Sequence, residues 1–278
     1  MEVSPFTFVK TFGMGISVGF ISIFVFVVIL CKPWETRAEL PCWNSCGSLQ
    51  VKYPFGSAYG CGAPRFSPYI SCTRGRDQLL FTTHTGSYPI TSISYATSTF
   101  IITPPNMSTC TAMQPAPDLG LDWASPFQLG PSTFLLLSCP PPAINGSPVC
   151  DASSSHLCAS IYTCPNVMGL GLPLFAPTNT CCVYSPANFN GKGELDLREL
   201  RCMGYASVVS LKDYPTDPSR WEYGVVLEYR NGAFDDYYMD NKCKTCEASG
   251  GVCGYAPPDD SFLCLCNNGH LLEKIIKD

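Results

Sequence analysis

Histidine is nearly missing from this chain: among 278 residues only His84, His156 and His270 carry an imidazole. None lies in a zinc-protease or kinase pattern, so an enzyme built on a histidine base or ligand has no support. Charge is thin as well, with Asp, Glu, Lys and Arg at 14% of the residues and a net charge of −5. That balance excludes the broad basic surface a nucleic-acid binder needs. No internal repeat aligns. Sustained helical periodicity is absent except in the tail Leu271-Leu272-Glu273-Lys274-Ile275-Ile276, which reads as a short helix. The only nucleophile-elbow match, Gly15-Ile16-Ser17-Val18-Gly19, sits inside an apolar leader where no strand-turn-helix can form. Carboxylates in the acidic half are too plentiful for one pair, such as Asp235 with Asp236, to be singled out as a glycosidase acid and base. The chain reads as a non-enzyme, with no cofactor and no metal.

What is abundant is cysteine. Of eighteen, only Cys31 lies in the leader, and the other seventeen follow it. That number of thiols suits an oxidising compartment, where they become cross-links. They fall into groups of five (Cys42 to Cys110), seven (Cys139 to Cys202) and five (Cys243 to Cys266), so maximal pairing requires bridges between groups and leaves one thiol over. Adjacent Cys181 and Cys182 would be strained as a mutual pair and are expected to reach different partners. Cys243-Lys244-Thr245-Cys246 with Cys264-Leu265-Cys266 has the spacing of a zinc site, but outside the cell it reads as a small disulfide knot. Oxidised sulfur, rather than an extensive apolar interior, is expected to fix the shape.

Between Lys10 and Lys32 no residue is charged, and the stretch to Cys31 can enter a translocon. A retained anchor would place the positive flank, Lys32 and Arg37, in the cytosol together with the cysteines, which conflicts with their use. Residues 1–38 are therefore read as a signal peptide cleaved after Thr36-Arg37-Ala38, with a signal anchor as the alternative. The protein is expected to be secreted to the extracellular space. Only retention of that segment, or a partner, would bring it to a membrane.

Short β-branched and aromatic runs bounded by Gly, Pro and Asn dominate the rest: Gln78–Thr83, Ile90–Tyr95, Thr99–Thr103, Thr133–Leu137, Ala206–Ser210 and Tyr223–Tyr229. The fold class is mainly β and disulfide-rich, as two small antiparallel β modules with long loops and a C-terminal cysteine knot. Pro140-Pro141-Pro142 marks the connection, giving modules at 39–140 and 141–267 and a tail at 268–278. Charge divides along the chain: residues 39–110 carry four basic and two acidic side chains, 4 − 2 = +2, whereas 111–278 carry ten and eighteen, 10 − 18 = −8. Asn106-Met107-Ser108 and Asn145-Gly146-Ser147 are glycosylation acceptors in a secreted chain, the second followed directly by Pro148.

Cys42-Trp43-Asn44-Ser45-Cys46-Gly47, Tyr53-Pro54-Phe55-Gly56 and Gly60-Cys61-Gly62, continuing to Phe100-Ile101-Ile102, resemble the galacturonan-binding domain of plant wall-associated receptor kinases. Tyr223-Gly224-Val225-Val226-Leu227-Glu228-Tyr229 and the run from Cys243 to Cys266 resemble the carboxy-terminal domain that accompanies it. Those receptors continue into a membrane helix and a kinase, and no kinase motif occurs in these 278 residues, so the resemblance is to an ectodomain without its kinase. It implies binding of acidic, galacturonate-rich wall pectin but identifies no residue.

Physics supplies the candidates. A polyuronate site needs cations for carboxylates and aromatic faces for sugar rings, and the basic front segment offers Lys52, Tyr53, Phe55, Tyr59, Arg65, Arg74 and Arg76. Tyr53 and Phe55 read first as core anchors of their turn, leaving Arg65, Arg74 and Arg76 with most of the weight. No loop has the spacing of a calcium site. The alternative function is a protein-interaction ectodomain whose terminal knot docks a peptide or co-receptor, and a secreted hydrolase ranks third.

Overall fold

A computed structural model describes residues 42–147, 149–184, 194–195, 197, 199–230, 235–265 and 271–272. The leader, its cleavage site or anchor role, Cys266 and His270 lie outside the described residues. No helix among the described residues is long and apolar enough to cross a membrane.

Alternation of apolar and polar residues builds the first sheet. In β4 (Leu79–Thr83) the residues Leu79, Phe81 and Thr83 point inward, and in β6 (Thr99–Ile102) Phe100 and Ile102 do. A small hairpin of β1 (Ser45–Cys46) and β2 (Leu49–Gln50) precedes β3 (Ile70–Cys72), and β5 (Gly86–Ser94) links β4 to β6. The order is β3-β4-β5-β6-β14-β8, in which β8 is Phe127–Leu129 and β14 is Val225–Tyr229. Strand β14 places Leu227 opposite Phe100 and Val225 opposite Ile102.

A second sheet has the order β10-β9-β12-β13, from Cys182–Tyr184, Thr133–Leu137, Gly204–Ser210 and Glu222–Tyr223. Its central strand is apolar at four successive positions because both faces are covered. Phe134 and Leu136 join the large core with Phe55, Phe66, Phe81, Phe100 and Phe127, while Leu135 and Leu137 face a second core with Leu157, Ile161, Tyr162, Val167 and Leu170. Short strands β7 (Leu119–Gly120) and β11 (Glu194–Leu195) pair beside these sheets. The proline run starts helix α1 (Pro141–Ile144), where missing N–H groups cost nothing, and α2 (Ser155–Ile161) covers the second core.

Mainly β, disulfide-rich and antiparallel is therefore the observed class, with three corrections. Strands from both sides of Pro140 share both large sheets, so that point divides the sequence but not the hydrogen bonding. Second, an extensive aromatic core exists alongside the sulfur: Phe55 alone meets Phe66, Phe100 and Tyr229 edge-on at 4.6 to 5.7 Å between centroids. Third, the terminal knot contains a helix the sequence did not betray, α3 (Asp235–Ala248), packed on β15 (Val252–Ala256) and β16 (Ser261–Leu265). The expected tail helix begins instead as β17 (Leu271–Leu272), whose Leu271 pairs with Leu265.

Among the described residues, eight disulfides tie these elements. Cys110–Cys164 joins the first and second groups, as parity required, and Cys181 and Cys182 go to Cys158 and Cys150. Cys243 and Cys246, one helical turn apart, bridge to Cys253 and Cys264, which face each other across the β15–β16 hairpin. Cys243, Cys246 and Cys264, the three cysteines of the zinc-like spacing within the described residues, are thus all in disulfides.

Candidate functional site

The seven candidate residues occupy five settings. Phe55 belongs to none of the accessible ones: it is 2% exposed at the centre of the aromatic core, so its assignment to sugar binding is corrected. Its turn holds the core, because packing a full phenyl ring stabilises more than a rim contact with a sugar would.

The first accessible setting is the turn between β3 and β4. Arg74 and Arg76 are exposed there, and the Arg76 guanidinium lies 4.3 Å from the centre of the Trp43 ring. The turn is fixed locally: the Gly47 N–H donates to the Arg76 carbonyl at 2.7 Å, the Arg76 N–H to the Thr73 carbonyl at 2.8 Å, and the Thr73 hydroxyl to Asp77. That hydroxyl bond holds the Asp77 carboxyl below its ordinary range. Two guanidinium groups against one carboxylate leave the turn at 2 − 1 = +1, beside a half-buried indole. Trp43 belongs to the cysteine motif and not to the seven candidates; a tryptophan next to a cysteine in a basic segment is the signal that marks it.

Lys52 and Tyr53 line a cleft of about 360 Å³ with Tyr95, Tyr229, Asp240, Lys244 and Glu247, between the front sheet and α3. Glu247 accepts from the Tyr53 N–H at 2.7 Å, and the Tyr95 hydroxyl accepts from the Lys52 N–H at 2.8 Å and donates to the Gln50 carbonyl at 3.0 Å. Burial pushes the Glu247 carboxyl up, the Tyr53 N–H and the Lys52 charge pull it back, and Asp240 adds a smaller upward push. Lys244 is paired with Asp240 at 2.5 Å. Two lysines against two carboxylates give 2 − 2 = 0, so a polyanion entering here would compete with carboxylates already present. Charge therefore favours the Arg turn over the cleft for an acidic polymer.

Arg65 is half-buried over Phe66, 4.9 Å from its ring centre, and donates to the Arg230 carbonyl at 2.5 Å, which makes it a clamp on the end of β14. Tyr59 is 69% exposed and meets Tyr255 of the terminal hairpin at 6.0 Å. The structure does not bring Arg65 or Tyr59 to the Arg74–Arg76 turn through any described contact. Asn106 and Asn145 are both exposed.

The signature glycines serve docking. Gly62, at φ +69°, donates its N–H to the Cys253 carbonyl at 2.8 Å, and the Tyr255 N–H donates to the Gly60 carbonyl at 2.9 Å. Residues Cys61 and Gly254 form a β-bridge, and a Cβ on Gly254 would lie 2.4 Å from the Gly60 oxygen. Gly60-Cys61-Gly62 is thus the seat on which the α3–hairpin unit rests.

Two family models match the chain. One, described as wall-associated receptor kinase galacturonan-binding, covers residues 42–104, and the other, wall-associated receptor kinase C-terminal, covers 193–269. Both are families of extracellular or wall-associated ectodomains. Wall-associated receptor kinase-like 20 of Arabidopsis thaliana is 29% identical over 195 residues, 66% of this chain and 28% of that protein. A leaf rust 10 disease-resistance locus receptor-like protein kinase-like 1.5 from the same plant is 25% identical over 263 residues, 87% of this chain and 35% of that protein. The chain thus spans about a third of the length of these curated relatives. No solved structure matches it.

Proposed function

We propose, from the premise that this chain carries the galacturonan-binding and carboxy-terminal domains of the wall-associated receptor kinases, that it is a secreted, non-catalytic receptor-like ectodomain holding acidic pectin in the cell wall. The observation that carries the reading is the Arg76–Trp43 stack with Arg74 exposed in the same turn. Guanidinium forks bind uronate carboxylates in pairs of parallel hydrogen bonds, and the free part of the indole offers a face to a pyranose ring. Contacts of this kind are exposed and weak singly, so affinity grows with the number of galacturonate units engaged.

The test is retention on immobilised polygalacturonate. Arg74→Ala with Arg76→Ala should elute at lower salt than the parent while melting at the same temperature, because exposed charges contribute to binding through screened Coulomb attraction. Unchanged elution removes the turn from the site. Arg65→Ala, by contrast, should lower stability before it alters binding, since it clamps β14.

A protein partner is the second reading, favoured by Leu174 and Phe175 at 53% and 78% exposed in one loop. Replacing both with Ser should leave pectin retention intact and abolish capture of a defined peptide or co-receptor ectodomain if that reading holds.

A further inference from the structure

The two glycosylation acceptors look alike in sequence and differ in the folded protein. An oligosaccharyl transferase must engage both the asparagine amide and the hydroxyl two residues on. At Asn145 both remain reachable: the asparagine caps the end of α1 in an exposed position, and Ser147 is half-exposed. At Asn106 the asparagine is exposed but Ser108 is 0% exposed. The Ser108 hydroxyl donates to the Gln114 carbonyl at 3.2 Å and accepts from the Gln114 N–H at 3.3 Å. Its N–H donates to the Tyr205 carbonyl at 2.8 Å, and Met107 between the two acceptor groups is 3% exposed. Cys110–Cys164 then locks the segment.

We infer that Asn106 is an acceptor that folding closes, so that its glycan is installed before Ser108 docks on Tyr205, whereas Asn145 stays open. Chain order sets the window. Tyr205 follows Ser108 by 205 − 108 = 97 residues, which at ribosomal rates of about 5–20 residues per second leaves roughly 5–20 s of open acceptor. In the transfer, the Asn106 amide nitrogen bonds to C1 of the sugar, the bond from C1 to the lipid diphosphate of the donor breaks, and one amide proton is lost. The inference rests on the extracellular reading above, but its test involves no polysaccharide, so either can fail alone.

Unglycosylated protein is incubated with purified oligosaccharyl transferase and a lipid-diphosphate-linked oligosaccharide, once oxidised and folded and once reduced, alkylated and unfolded. Mass spectrometry follows the Asn106 peptide. The unfolded chain should be modified at Asn106 at least about tenfold faster, reflecting how seldom a buried segment opens. Equal rates in the two forms overturn the inference, and so does an unfolded chain that is not modified at all.

Discussion

The front sheet and the α3–hairpin unit solve one problem by different means. Around β4, β6, β8 and β14 the interior is filled by Phe55, Phe66, Phe81, Phe100, Phe127 and Tyr229, with two disulfides at its margin. In the unit from Asp235 to Leu272, the described buried residues are mainly Cys243, Cys246, Cys253, Cys264, Tyr255, Leu263 and Leu265, too few for a core of their own. Sulfur there does what phenyl rings do elsewhere: two bridges a helical turn apart pin α3 across both strands. A small element can therefore hold its shape with little apolar area if its unfolded chain is cross-linked.

The sharpest way to break this contrast is Phe100→Ala, which opens a hole among the four rings of Phe55, Phe81, Phe127 and Tyr229 and should cost about 3–5 kcal/mol in denaturant unfolding; a smaller loss would mean the ring cluster is dispensable. Next comes Cys246→Ser with Cys264→Ser, which opens a bridge of sequence separation 18 and should cost about 3 kcal/mol. Hydrogen exchange should then rise in α3 and the hairpin while β4–β6 stay protected, and loss of protection in both regions would show one cooperative unit. Gly254→Ala drives a Cβ against the Gly60 oxygen and should cost about 1–3 kcal/mol, with faster exchange at the Gly62 and Tyr255 amides.

Glu247→Gln should have the smallest effect and sharpens the electrostatic side. The folded value of Glu247 is raised above its ordinary 4.5, so its contribution to stability is fully present below that value and is lost as pH rises through the raised one. Glutamine still accepts from the Tyr53 N–H and should flatten this part of the pH profile, leaving the variant no less stable than the parent at neutral pH. Thermal melts from pH 4 to 8 would show it, and an unchanged slope would exclude Glu247 as its source.

Strands were legible in the sequence because alternation and turn residues act locally: Thr133–Leu137 was read to the residue and Leu79–Thr83 to within one. The separate partners of Cys181 and Cys182 were legible from backbone geometry alone. Helix α3 was not, since its inward face in the described part is made by Cys243 and Cys246, which a hydrophobicity pattern does not count as a stripe. Phe55 was ambiguous for the same reason that aromatics always are, because their burial depends on residues as distant as Tyr229. Of the candidate site, the cations Arg74 and Arg76 were visible as charges, but the stacking of Arg76 on Trp43 joins residues 33 positions apart, 76 − 43 = 33, through a tertiary turn.

Strand β14 enters the first sheet between β6 and β8 although it is made more than a hundred residues after β6 ends. A recombinant fragment trimmed to 42–104, the span of the galacturonan-binding match, would leave the outer edge of β6 bare and strip Leu227 and Tyr229 from the rings they cover. Such a piece invites strand-to-strand association between copies. Glycan arrays probed with it would then report the stickiness of a torn sheet, so the useful reagent for testing sugar binding is one that runs at least through Tyr229.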